Sequence, residues 1–408
     1  MDARSKEALV RDGFVVLRCE LPPAQLPSVR LPVRPIGSAH PCAACGHPAA
    51  AVVPPEQCEA ARRAVNSSIG AAYHTAVRPL RPHELEEVGE DPRARLTAAA
   101  ASAPAVVDLL NTTKARLAVE DALGCAIPDA ATAQVALLFP NSAINLSNPT
   151  PQTADTIGQA GYPNRDIPYF GWSGHLDGLW SGGTPPPQSP EDVDPAAWYR
   201  DPGTNGAPMW ADETRRISVR NFTCLVGIPL SDQSQEGCGN LGLLAGGCHV
   251  YEELFRRQRD AGSVLGPEGL DWPREDTSAP NAHGLNYMPD YIRERCRGTR
   301  SADGKNWPEP QLVKVVPGDA VVVLHSCPHG ASMNMAADPR MMIYFRITSP
   351  LRVPADGAGA GLACSADALC DIWHEWGGLQ EQVAAHRAQQ QQQQQDQVRK
   401  RFFCAILY

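Results

Sequence analysis

The chain lacks what several functional classes require. No run of 18 apolar residues occurs among its 408 residues, so no stretch reads as a membrane-spanning helix. Met1 to Val10 (MDARSKEALV) carries charges of both signs and has no apolar stretch of the kind a secretory leader needs. The expectation is a soluble protein of the cytoplasm. An excess of base is also missing: 36 Lys and Arg stand against 45 Asp and Glu, a net charge of −9. That balance opposes attraction to phosphate backbones and anionic lipid, so no nucleic-acid partner is expected. The 13 cysteines follow no regular framework and read as reduced thiols rather than disulfides. Gly171-Trp172-Ser173-Gly174-His175 lacks the final glycine of a nucleophile elbow. Gly304-Lys305-Asn306 lacks the upstream glycine and the hydroxyl residue of a phosphate loop. No internal repeat is present. Serine-hydrolase, P-loop and repeat-array readings therefore lose their support.

What is present is ordinary globular material, 43% hydrophobic and 20% charged. Proline and glycine together make 72 of the 408 residues. That share is high but below the roughly 25–30% of low-complexity chains, so it belongs to loops and insertions. At roughly 150 residues per domain the length allows up to about three domains.

Ser5 to Arg18 reads as a short helix stopped at Gly13, followed by a strand, Phe14-Val15-Val16-Leu17. Residues 20–56 are dense in proline and read as an irregular insertion. They contain Cys42-Ala-Ala-Cys45 flanked by His40 and His47, half of a zinc pattern with no second half at finger spacing, so loop thiols are the favoured reading. Residues 57–126 alternate helical stretches and predict a helical layer beside a sheet. The runs 133–139, 221–230, 312–316, 320–324 and 341–347 are short, apolar and β-rich, which predicts a sandwich or jelly roll. A long polar connection spans 251–311, opening with a helix. From Ala363 a helical pattern leads into the homopolymer Gln389–Gln395, whose conformation stays open.

Two constellations carry chemistry. In Tyr169-Phe-Gly-Trp172-Ser-Gly-His175-Leu-Asp177-Gly-Leu-Trp180, residues i and i+2 of an extended segment share a face, so His175 and Asp177 can share one ion. Far downstream, Pro317-Gly-Asp turns into a strand ending at His325, then Ser-Cys-Pro-His329-Gly-Ala-Ser332-Met-Asn334, with Arg340 opening the next β-run. Two histidines and one carboxylate on one face suit non-heme Fe(II) that activates oxygen. A nearby arginine grips a carboxylate through two parallel hydrogen bonds, which a lysine does not match.

The opening helix plus Gly13-Phe-Val-Val-Leu17, the His175-x-Asp177 pair, the stretch Asn240 to His249 (NLGLLAGGCH), and Gly318 to Asn334 followed by an arginine eleven residues beyond His329 together resemble the phytanoyl-CoA dioxygenase-like (PhyH-like) branch of the Fe(II)/2-oxoglutarate-dependent oxygenases. The resemblance implies a mainly β double-stranded β-helix (jelly roll, cupin-like) core with flanking helices. It implies iron held by His175, Asp177 and His329, with 2-oxoglutarate bound by Arg340 and more weakly by Ser332. It also implies hydroxylation of a small-molecule or lipid-like substrate with release of succinate and CO2, ascorbate serving as a reductant. Family position favours His329 over His325, and Arg340 over Arg346 on the same strand face; His249 is expected in a structural role. Trp172 and Trp180 are candidates for the pocket wall. His83 and His374-Glu375 are expected to be exposed helix polar groups.

The expected organisation is one domain over 1–355, with insertions at about 20–56 and 251–311, and a helical, glutamine-rich extension over 356–408 that offers a surface for protein partners. Two other classes stay open at this level: a catalytically silent scaffold of the same fold, and a metal enzyme independent of 2-oxoglutarate.

Overall fold

The computed structural model describes residues 1–18, 51–74, 92–140, 174, 176, 222–260, 295–296, 298–300, 306–352 and 365–406. The chain opens with helix α1 (Ala3–Asp12), whose first turn is capped by the Asp2 carboxylate accepting from the Ser5 amide at 2.9 Å. Gly13 ends it with φ 82°, a left-handed residue in which a Cβ would lie 2.7 Å from the Cys248 sulfur. Strand β1 (Phe14–Leu17) follows at once, as the pattern predicts.

A helical layer comes next: α2 (Pro55–His74), α3 (Pro92–Ala101), α4 (Pro104–Asn111) and α5 (Lys114–Leu123). The β-rich runs become β2 (Gln134–Leu138), β3 (Cys224–Pro229) and β4 (Leu241–Leu243). Helix α6 (Gly247–Asp260) and the hairpin β5 (Gly298–Arg300) and β6 (Asn306–Pro308) lie within or beside the expected insertion at 251–311. Strands β7 (Gln311–Leu312), β8 (Ala320–Leu324), β9 (His329–Ala331) and β10 (Arg340–Ile347) precede α7 (Ser365–Cys370) and the long α8 (Gln380–Ile406). The 312–316 run is shorter as a strand than its composition suggests: only Gln311–Leu312 pair in β7, and Val315 bridges singly to Gln233.

Apart from the two-stranded β5-β6 pair, the described strands form two antiparallel sheets with flanking helices. One has five strands in the order β1-β8-β3-β10-β2, the other three in the order β7-β4-β9. Strands β3 and β4 lie in different sheets, and from β7 through β8, β9 and β10 the chain changes sheet at every step. Strand β8 (AVVVL) lies between β1 and β3 and is buried along its whole length, which is why it reads as a continuous β-branched run rather than an alternating one. Each such side chain withdrawn from water contributes about 1.5–3 kcal/mol.

One hydrophobic core joins the sheets to both ends of the chain. Leu9 and Val10 of α1, the buried faces of α2, α4 and α5, and Ile372, Trp373, Trp376, Leu379 and Val383 all belong to it. The first part of the expected C-terminal extension is thus part of the folded core.

Candidate active site

The site is built around one face of β10. Residues two apart on a strand share a face, so Arg340, Met342, Tyr344 and Arg346 project together. Neighbouring β2 and β3 fix this strand in register, with Arg340 opposite Leu138, Tyr344 opposite both Gln134 and Gly227, and Arg346 opposite Leu225. Arg340 is only 5% exposed. One of its terminal nitrogens donates to the Tyr344 hydroxyl, and its guanidinium carbon lies 5.6 Å from the centre of that ring. Its Nε is buried and has no hydrogen-bond partner. An orphaned guanidinium N–H away from water costs free energy until an acceptor reaches it.

That acceptor has a place to sit. A cavity of about 490 Å3 opens between the two sheets: Leu225, Arg340, Tyr344 and Arg346 come from the larger sheet, Leu241 and His329 from the smaller, and Thr97 and Ala98 of α3 cover one side. Among the described residues that line it there are two arginines and one imidazole and no carboxylate. The two guanidiniums are groups suited to an anionic ligand.

His329 reaches the cavity because of the turn and loop that frame β8. Gly318, at φ 110°, closes the Pro317–Asp319 turn, in which the Asp319 carboxylate accepts from the Val316 amide at 3.1 Å. Strand β8 runs out of this turn, and residues 325–328 reverse the chain into β9, where His329 pairs with Leu243 of β4. The ring Nδ1 of His329 sits 3.2 Å from the Cys327 carbonyl oxygen. A carbonyl only accepts, so this contact places the proton on Nδ1 and makes Nε2 the lone-pair nitrogen, the form in which a histidine ligates a metal.

The structure distributes the other expected residues as follows. His325 does not line the cavity; it is buried with its ring edge-on to Phe222 at 4.8 Å. Ser332, expected as a weaker co-substrate contact, instead donates its hydroxyl to the Asn240 carbonyl at 3.1 Å and ties the end of β9 to the start of β4. Asn334 shapes the turn before β10, donating to the carbonyls of Leu138 and Asp338 and accepting from the Ala336 amide. His249 begins α6, meets the Val10 carbonyl at 2.9 Å and stacks on His386. Glu375 corrects the expectation of an exposed helix group: it is buried, lies in a turn, and forms a two-pronged ion pair with Arg352 at 2.6 and 2.8 Å. His374 is exposed, as expected. His175, Asp177, Trp172, Trp180, His83, Cys42 and Cys45 lie outside the described residues, although Leu176 itself is buried. Among the described residues no three His, Cys, Asp or Glu side chains cluster as a metal site, and no helix is long and apolar enough to cross a membrane.

No family model matches the chain, and no curated protein matches it. Two solved structures are similar over most of its length. One is a non-heme alpha-ketoglutarate-dependent carbocyclase, SnoK from nogalamycin biosynthesis, with 11% identity, 85% of this chain and 84% of that one covered, and a TM-score of 0.32. The other is AviO1 from Streptomyces viridochromogenes Tue57, with 13% identity, coverage of 85% and 95%, and a TM-score of 0.31. Overlap at that level fixes neither fold nor activity, so the reading of the site rests on its residues.

Sequence reasoning missed Tyr344. The signal was available: in a strand opened by Arg340, the residue four positions on occupies the same face, and a phenol there is the neighbour able to share a carboxylate with the guanidinium.

Proposed function

We propose that the chain is an Fe(II)- and 2-oxoglutarate-dependent dioxygenase of the PhyH-like type, hydroxylating a small-molecule or lipid-like substrate with release of succinate and CO2. The observation that carries the reading is the buried pairing of Arg340 with Tyr344 in the cavity that also holds His329. The alternation of β7, β8, β9 and β10 between two antiparallel sheets supports a double-stranded β-helix core.

The residues fit the groups they would hold. Arg340 and Tyr344 present N–H and O–H donors to one carboxylate of 2-oxoglutarate, and the unpartnered Nε of Arg340 gains the acceptor it lacks. His329 offers Nε2 as one iron ligand, its ring held by the Cys327 carbonyl. His175 and Asp177 complete the ligand set in this proposal, as the resemblance implies. Iron, when bound, supplies the activation of oxygen. The chain's own contribution is to fix the co-substrate at its far end and to hold His329 in one tautomer.

The test is succinate formation from 2-oxoglutarate with Fe(II) and oxygen, comparing wild type with His175→Ala and Arg340→Ala. Turnover in wild type and its loss in both variants is expected; equal turnover in all three would sink the assignment.

A further inference from the structure

The cavity holds a second cation. Arg346 lies on the same face of β10 as Arg340, six residues on, which at roughly 3.4 Å per residue puts their backbones about 20 Å apart. The two differ in setting: Arg340 is buried, Arg346 is exposed, yet both line the one cavity. Arg346 is also braced, with its guanidinium carbon 5.6 Å from the centre of the Phe222 ring, which is itself buried and met edge-on by His325. A braced arginine loses less freedom on binding than a lysine on a free stem. Leu225, directly opposite Arg346 on β3, and Leu241 of the smaller sheet give the cavity apolar wall, while Tyr344 lies between the two arginines on β10.

A buried cation and an exposed one, far apart along one strand in a cavity partly walled by leucine, match two separate anionic ligands and not one. The reading of Arg340 as the 2-oxoglutarate anchor accounts for the first. We propose that Arg346 recognises the prime substrate: an organic anion whose carboxylate or phosphate pairs with this guanidinium while its apolar body lies along the leucines toward His329. Arg346 is thereby a specificity-determining residue, and a neutral isostere of the same shape is discriminated against at this position. This inference rests on the oxygenase reading for which arginine holds the co-substrate, but not for the existence of the second anion site.

The two are separated by titration. Purified full-length protein is first titrated with 2-oxoglutarate in the presence of Mn(II), wild type against Arg340→Ala. With both present, it is then titrated with octanoate, octyl phosphate and the neutral octanamide. The expected result is saturable binding of at least one of the anions, octanamide weaker by about tenfold or more, as loss of a charged hydrogen bond implies. Arg346→Lys should retain most of that affinity and Arg346→Ala lose about tenfold. Arg346→Glu should reverse the preference, taking octylammonium in place of the anions, a result that damage to the fold would not produce; melting curves of each variant accompany the titrations. Anions and octanamide binding alike, no anion binding at all, or equal anion affinity in wild type and Arg346→Ala overturns the proposal. If 2-oxoglutarate does not bind wild type while octanoate or octyl phosphate binds in an Arg346-dependent way, the second site stands and the oxygenase reading fails.

Discussion

At the scale of single residues, the chemistry turns on which polar atoms are left without partners in a dry place. The Nε of Arg340 is such an atom, and the phenol of Tyr344 beside it is the natural co-donor to a carboxylate. Tyr344→Phe removes one hydrogen-bond donor while keeping the ring that packs beneath the guanidinium. The apparent affinity for 2-oxoglutarate should then fall by about 10- to 100-fold, as expected for one hydrogen bond to a charged group, with little change in melting temperature. Isothermal titration with Mn(II) present reads this directly, and unchanged affinity would remove Tyr344 from the site. The neighbourhood also explains Gly227: a Cβ there would sit 2.8 Å from both the Tyr344 ring and a Val321 methyl, so no larger residue fits opposite Tyr344 without moving it.

At the scale of elements, α8 is the informative case. Its glutamine tract left helix and coil equally open in the sequence, and in the structure residues 380–406 are one helix, anchored at its start by Leu379 and Val383 in the core and exposed from Arg387 to Arg401. The anchor includes two stacked imidazoles, His249 of α6 and His386 of α8, with ring centres 4.8 Å apart. Burial lowers the pKa of both, and for His386 the neighbouring His249 and Arg11 add to the lowering. Asp12 pulls each of them the other way, while Arg387 further lowers His249. A histidine whose folded pKa lies below its unfolded value of about 6.5 is favoured neutral in the fold. Its contribution is complete above that value and is lost as the pH falls through the folded pKa. Docking of α8 should therefore weaken as the pH falls below about 6.5. Amide hydrogen exchange over residues 380–387 should quicken on acidification in wild type and show a flatter dependence in His386→Gln. Identical profiles would show that the stack does not titrate with docking.

At the scale of the whole molecule, one core joins the two sheets to α1 and to the start of α8, and the least expected tie beside it is the buried pair between Arg352 and Glu375. These side chains are 7% and 3% exposed, and Thr223 at the start of β3 donates to the same carboxylate. The pair bolts the segment after α7 onto the larger sheet. Replacing Glu375 with Ala leaves a buried guanidinium without its counter-charge and should cost about 3–5 kcal/mol, read as a lower midpoint in chemical denaturation. A midpoint within experimental error of wild type would show that this end of the chain contributes nothing to the fold.

Much of this was legible in the residues. The helix-to-strand opening, the β-rich runs, the Gly318-Asp319 turn, and the eleven-residue spacing from His329 to Arg340 follow from local pattern, because strand parity, glycine turns and apolar periodicity operate over a few neighbouring residues. The tertiary structure decided what local pattern does not encode. It brought His329 and not His325 into the cavity, because pairing of β9 with β4 sets which histidine the chain reversal delivers there. It tied Ser332 to Asn240, buried Glu375 against an arginine 23 residues away, and gathered Arg340, Tyr344 and Arg346 with a partner sheet around one cavity. Contacts between distant segments depend on register and on how sheets stack, and those are fixed only when the whole core closes.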